Sequence, residues 1–209
     1  HSHYNTVEQM DRGLSGALIV EEADALDIDR EEVLIIDDWL MQQSGEIDPE
    51  FEAPMSLSHA GRMGNFVTTN SQFQPVLAVK TNERLRLRLI NTANARIFPL
   101  ALQGLSGWVV AYDGMPLDTP EPVDDIFLLA PAQRIDLVVD VTAVQGEAAA
   151  LVWAIDAGPQ IQVAFDVTGR SATRARPAPD ALPPNAETEM KDLKDATQAR
   201  LVMAGGAMG

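Results

Sequence analysis

Over residues 83–90 the chain alternates strictly, with Leu85, Leu87 and Leu89 interleaved with Arg84, Arg86 and Arg88. Successive side chains of a β-strand point to opposite faces, whereas a helix would scatter the arginines around its circumference. The segment is therefore a strand with a leucine face turned to a core and an arginine face turned elsewhere. A row of arginines suggests an anion site. Against that stands a surplus of acid, 31 Asp and Glu against 15 Lys and Arg, which offers the row solvent or carboxylate partners instead.

Short apolar runs of the same kind recur along the chain. Residues 33–36 form one, closed by Asp37-Asp38-Trp39, and residues 66–69 another, ended by the turn pair Asn70-Ser71. Residues 97–102 follow a turn at 91–94, and residues 108–112 run into Asp113-Gly114, a hairpin pair. Residues 123–129 and 133–141 are separated by Ala130-Pro131, and 151–155 and 161–167 by a turn at 156–159. Residues 13–20 read as a turn followed by a short buried strand, and 42–64, broken by glycines and prolines, as a loop. Strands at hairpin spacing without long helical periods specify an all-β sandwich or barrel. The acidic run 21–32 reads as a connection, and 169–184, rich in Arg, Ala and Pro, as a linker. Residues 185–195 suit a short helix capped by Asn185, with Met190 and Leu193 on one face, and 200–203 a new strand.

With 209 residues, 46% of them hydrophobic, the chain can bury a real core. A net charge of −16 repels nucleic-acid phosphates and anionic lipid, and no apolar run is long enough to span a bilayer. There is no cysteine, which excludes disulfides, zinc–thiolate sites and a thiolate-ligated blue copper centre. The scattered Met10, Met41, Met55 and Met63 read as gap-filling core residues.

His1-Ser2-His3 is the one cluster of metal-type ligands in the sequence. On a strand the two imidazoles would share a face and could meet one metal or two adjacent metals, with copper, zinc and nickel all suited. The same spacing arises by chance and in tags. If His1 is the true terminus, its amine, two backbone amides and the His3 imidazole would offer a square-planar set for Cu(II) or Ni(II). His59, alone in a loop, reads as a solvent-exposed, non-ligating histidine.

His1-Ser2-His3-Tyr4, followed by Glu8-Gln9-Met10 and the run Gly13-Leu14-Ser15-Gly16-Ala17-Leu18-Ile19-Val20, resembles the second His-x-His motif of multicopper oxidases. Val33-Leu34-Ile35-Ile36-Asp37-Asp38-Trp39, Arg86-Leu87-Arg88-Leu89-Ile90-Asn91, Asp113-Gly114-Met115-Pro116 and Leu129-Ala130-Pro131-Ala132-Gln133-Arg134-Ile135-Asp136 resemble the second domain of three-domain, laccase-like and copper-resistance-type members. The resemblance implies a cupredoxin-like Greek-key β-sandwich or barrel with flanking partial-domain segments. Residues 1–22 would end a first cupredoxin domain, 23–32 connect, 33–168 form a copper-free second domain, 169–197 link, and 198–209 start a third. It implies copper as cofactor, His1 and His3 each ligating one copper of the type 3 pair in a trinuclear cluster, and Ser2 turned away between them. It implies dioxygen and a small reducing substrate, phenol-like or a metal ion, as partners, and a periplasmic or extracytoplasmic location. Arg134 and Asp136 would form an Arg–carboxylate bond fixing a loop.

The chain departs from the family pattern in reading Gly104-Leu105-Ser106-Gly107-Trp108 where members usually place a histidine after the glycine. It also lacks the upstream His-x-His and both ligand motifs of the third domain. The chain alone is thus expected to be inactive, and a non-enzymatic cupredoxin-like interaction module is the alternative reading. Copper added to the purified chain should give no intense blue charge-transfer band, since no thiolate is present. The visible absorption spectrum checks this, and such a band would refute it.

Overall fold

The leucine–arginine alternation forms strand β4 (Arg84–Asn91), inside a six-stranded sheet. The computed structural model describes residues 2–22, 26–171, 175–185 and 194–202. Before β4 come α1 (Thr6–Asp11), β1 (Arg30–Trp39), α2 (Pro54–Ser58), β2 (Phe66–Thr69) and β3 (Val76–Thr81). After it come β5 (Phe98–Gln103), β6 (Leu105–Tyr112), β7 (Met115–Pro122), β8 (Phe127–Leu129), β9 (Arg134–Val141), β10 (Ala150–Trp153) and β11 (Gln160–Arg170). One sheet has the order β2-β1-β4-β9-β6-β7 and the other β3-β11-β10-β5-β8. β1 runs parallel to β4, and β3 parallel to β11; the remaining pairings are antiparallel. The architecture is the all-β sandwich expected from the sequence.

The leucines of β4 are fully buried, and they meet Ile36, Leu137, Phe98, Leu151 and Val163 between the sheets. Asp113 (φ 51) and Gly114 (φ 78) make the left-handed turn that joins β6 to β7, as the Asp-Gly pair predicts. β7 contains Pro116, Pro120 and Pro122, which hid it from a reading by apolar runs; as the edge of its sheet it tolerates residues without an N–H donor. β8 is shorter than the strand expected over 123–129.

Several expectations are corrected. Residues 13–22 form no strand, and Leu14, Leu18 and Val20 are exposed, because no sheet edge among the described residues accepts them. β1 starts at Arg30, inside the presumed connection. Its charges are accommodated by ion pairs of Arg30 with Glu83 (3.0 Å) and of Glu31 with Arg88 (2.9 Å). Residues 175–182 are not a free linker: Leu182 is buried with Val110, Ala111 and Val138, and the Pro177 carbonyl accepts from Arg84 (2.5 Å). Met55 and Met63 are exposed, not core. Arg134 pairs with Asp113 (3.2 Å) and not with Asp136. Residues 200–202 hold no strand, and the helix expected over 185–195 falls mostly outside the described residues.

The arginine face is carboxylate-paired and dry. Arg84 and Arg86 are 1% and 2% exposed. Arg84 forks onto Asp140 (2.6 and 2.8 Å) and Arg86 onto Asp136 (3.1 and 2.6 Å), both from β9. Glu22 reaches Arg86 at 2.6 Å and Arg88 at 3.3 Å. Burial raises the Glu22 carboxyl, but its bond to Arg86 and the charges of Arg86 and Arg88 hold it below the usual carboxylate range. Removing one partner of such a pair strands a buried charge at a cost of about 3–5 kcal/mol, whereas an apolar replacement of both is nearly neutral. Arg86→Met should therefore destabilise strongly, and Arg86→Met with Asp136→Leu much less, as read by chemical denaturation.

Asp37 on β1 is buried, and burial pushes its carboxyl up to about 6; Asp38 and Asp11 push the same way, while a bond from Thr92 and the Asp38 amide oppose them. An acid with a raised folded pKa holds its proton more tightly when folded, so the fold loses stability as pH rises from the unfolded pKa to about 6. The full deficit, on the order of 3 kcal/mol, stands above that window. Asp37→Asn should raise the thermal midpoint at pH 7.5 and leave it nearly unchanged at pH 4, which parallel melts would check.

Candidate metal centre

The described part of the His-Ser-His segment, Ser2 and His3, forms no strand and the chain bends over residues 3–5, so the expected strand geometry is not what presents His3. His3 is exposed, and His1 lies outside the described residues. The bend is set by Asn5, whose φ of 47 is left-handed, a conformation asparagine tolerates better than most residues. Thr6 Oγ1 donates to the Ser2 carbonyl (2.8 Å), and Asn5 Nδ2 to Glu8 (2.5 Å). His3 therefore sits within one turn of the start of α1, and its position follows that of the helix.

No side chain of α1 is buried in a core. Beneath it and residues 14–16 lies a crevice lined on the domain side by Ile90, Ala93 and Pro131. Polar contacts at the far end of the helix tie it down. Asp11 forms a buried ion pair with Arg62 and accepts from Asn94 Nδ2, which also reaches the Val7 carbonyl (3.4 Å). Arg62 is itself fixed by the carbonyls of Asp48 (2.6 Å) and Glu50 (2.8 Å), and it lies over the Phe51 ring at 4.7 Å, as Arg12 does at 4.9 Å. Burial raises the Asp11 carboxyl, and the Arg62 charge pulls it down without cancelling that effect. Gly61 (φ +83) precedes Arg62, where an added Cβ would collide with that of Ala95. Glycine thus lets the Arg62 loop approach the Asn94 turn. Arg96 completes this corner, donating to Asp38 (2.7 Å) and to the Gly64 carbonyl (2.5 Å).

Asp11, Arg62 and Asn94 escaped sequence reasoning because they lie far apart in the chain and follow no motif. The one signal was a lone arginine among glycines and methionines, Gly61-Arg62-Met63-Gly64. His59 is exposed, as expected, with Nδ1 2.8 Å from Ser58 Oγ. Among the described residues no three His, Cys, Asp or Glu side chains gather as a metal site. Two imidazoles one residue apart suit copper in kind but do not complete a site. Among the described residues none gathers further ligands beside His3.

The profile of the family described as "Multicopper oxidase" matches residues 30–174. The chain is 29% identical over 157 residues to "Multicopper oxidase mco" of Staphylococcus haemolyticus, covering 73% of this chain and 34% of that protein. It is 35% identical over 154 residues to Laccase-3 of Thanatephorus cucumeris, covering 67% and 26%. It is 31% identical over 150 residues to Cell division protein FtsP of Yersinia pestis, covering 67% and 31%. A multi-copper oxidase from Pseudomonas thermotolerans superposes with a TM-score of 0.81 at 28% identity, over 93% of this chain and 46% of that one. Lac15 from a marine microbial metagenome gives 0.67 at 36% identity, over 83% and 42%. The chain thus spans about a third of the length of these curated relatives and just under half of these solved chains. A two-sheet sandwich with this extent of likeness is cupredoxin-like, and the chain belongs to the multicopper oxidase family.

Proposed function

We propose that this chain is part of a copper-dependent oxidase in which His1 and His3 are ligands of the type 3 copper pair. The observation that carries the reading is the His-Ser-His sequence placed directly before a helix that leans on a domain of this family. When bound, copper would supply one-electron redox chemistry that couples oxidation of a small phenol-like or metal-ion substrate to reduction of dioxygen to water. The chain's own contribution is binding and orientation: two neutral imidazole donors, with the Asn5 bend and the Thr6–Ser2 bond directing the second. It supplies no thiolate, so the blue centre would be held elsewhere.

The proposed organisation is residues 1–22 as the end of one cupredoxin domain, a connection up to β1, a copper-free domain over the expected 33–168 extended to Arg30 and Arg170, a trailing segment to 197 that packs partly on that domain, and 198–209 as the start of another domain. The self-contained sandwich from β1 to β11 supports it, as do the exposed apolar side chains of residues 14–20, suited to a sheet not found among the described residues. No helix among the described residues is long and apolar enough to cross a membrane. A periplasmic or extracytoplasmic location accords with the family.

The second reading is a non-enzymatic cupredoxin-like structural or interaction module, and the matches to multicopper oxidases and laccases favour the oxidase over it. Substitution of His3 separates the two. In the full-length protein, His3→Ala should lower dioxygen consumption by at least about tenfold while sparing the blue band. Oxygen-electrode rates and visible spectra check this. Unchanged turnover and copper content would favour the module, and loss of blue colour at normal turnover would contradict the role given to His3.

A further inference from the structure

We propose that Arg62 and Asn94 are positioning residues for the His-Ser-His motif, acting through Asp11 at the opposite end of α1. The inference rests on the copper-ligand reading above and adds to it a mechanical link between the copper-free sandwich and the ligands. The apolar side chains of α1, Val7 and Met10, are only half-buried and the helix stands over a crevice, so the buried Asp11 carboxylate carries much of its fixing. Of the polar contacts to the sandwich described for it, the Asp11–Arg62 ion pair and the Asn94–Asp11 bond hold its last residue, and Asn94 also reaches back to the Val7 carbonyl one turn earlier. Arg62 and Asn94 are rigid as partners. Arg62 is 5% exposed and bonded to two backbone carbonyls, while Asn94 follows Ala93 in a turn pinned by the Asn91 side chain to the Ala93 amide (2.9 Å). At the other end of the helix, the Thr6–Ser2 bond continues the constraint to the residues flanking His3. A helix of one and a half turns held at one end transmits a tilt to the other, and the second imidazole moves with it.

The experiment compares Asn94→Ala, Asp11→Asn, Arg62→Lys and His3→Ala in the copper-loaded full-length protein by copper content and electron paramagnetic resonance. Magnetically coupled coppers are silent and isolated ones visible. Asn94→Ala and Asp11→Asn should increase the visible fraction or lower the copper content. Arg62→Lys, which keeps the charge but not the fork, should fall between them and the wild type. Amide hydrogen exchange of the metal-free protein supplies a readout independent of copper. In Asn94→Ala the α1 amides should exchange about tenfold faster or more while β4 and β9 keep their protection. That comparison also exposes a variant that has merely lost its fold, in which case Asp11→Asn carries the test. Wild-type resonance and copper content in both Asn94→Ala and Asp11→Asn, with His3→Ala altered, would overturn the positioning role alone. If His3→Ala also matches the wild type, the copper-ligand reading itself falls.

Discussion

The ion pairs between β4 and β9 are the constraint on which the rest of the molecule hangs. Arg84 and Arg86 could not be buried without Asp140 and Asp136 opposite them, and once paired they leave guanidinium donors for other groups. Those donors hold the flanking segments against the outer face of the six-stranded sheet: Glu22 from before the sandwich, the Pro177 carbonyl from after it. Arg176 adds a bond to Asp29 (2.8 Å) that ties the trailing segment to the leading one. The chain's surplus of acid thus serves architecture as well as solubility, because part of it neutralises the one strand that could not otherwise be covered.

Much of this was legible in the sequence, and the reasons differ by element. β4 was readable because its alternation is strict. The β6–β7 hairpin was readable because Asp113-Gly114 suits a left-handed turn. β7 was not, since Pro116, Pro120 and Pro122 disqualify a central strand, and only topology reveals that the segment is an edge. The start of β1 is hidden because charge reads as a sign of solvent, whereas Arg30 and Glu31 find partners across the strands. Residues 13–20 mislead for the opposite reason: an apolar pattern reads as burial, yet burial needs a neighbouring sheet.

The candidate site divides along the same line. His1 and His3 were visible as a motif because their residue types are rare here and their spacing is tight. The corner that holds the helix behind them was invisible, since Asp11, Arg62 and Asn94 meet only through the folding of a loop and a turn. Local chemistry is written in neighbouring letters, while support is written in distant ones. Among the described residues the sandwich gathers no metal cluster of its own, and its Arg62 and Asn94 hold Asp11 at the end of the helix that follows the motif.

The pairing of β3 with β11 bears on how the molecule is made. These strands, Val76–Thr81 and Gln160–Arg170, lie side by side although most of the domain separates them in sequence. A growing polypeptide emerging from the ribosome cannot seal its second sheet until Arg170 has cleared the exit tunnel, whereas the β1–β4 contact forms long before. Contacts of such sequence separation carry a loop-closure penalty and slow folding. Before that closure the five-stranded layer lacks its β3–β11 seam, and Val79 and Phe165 lack the partner strand that covers them in the finished sheet.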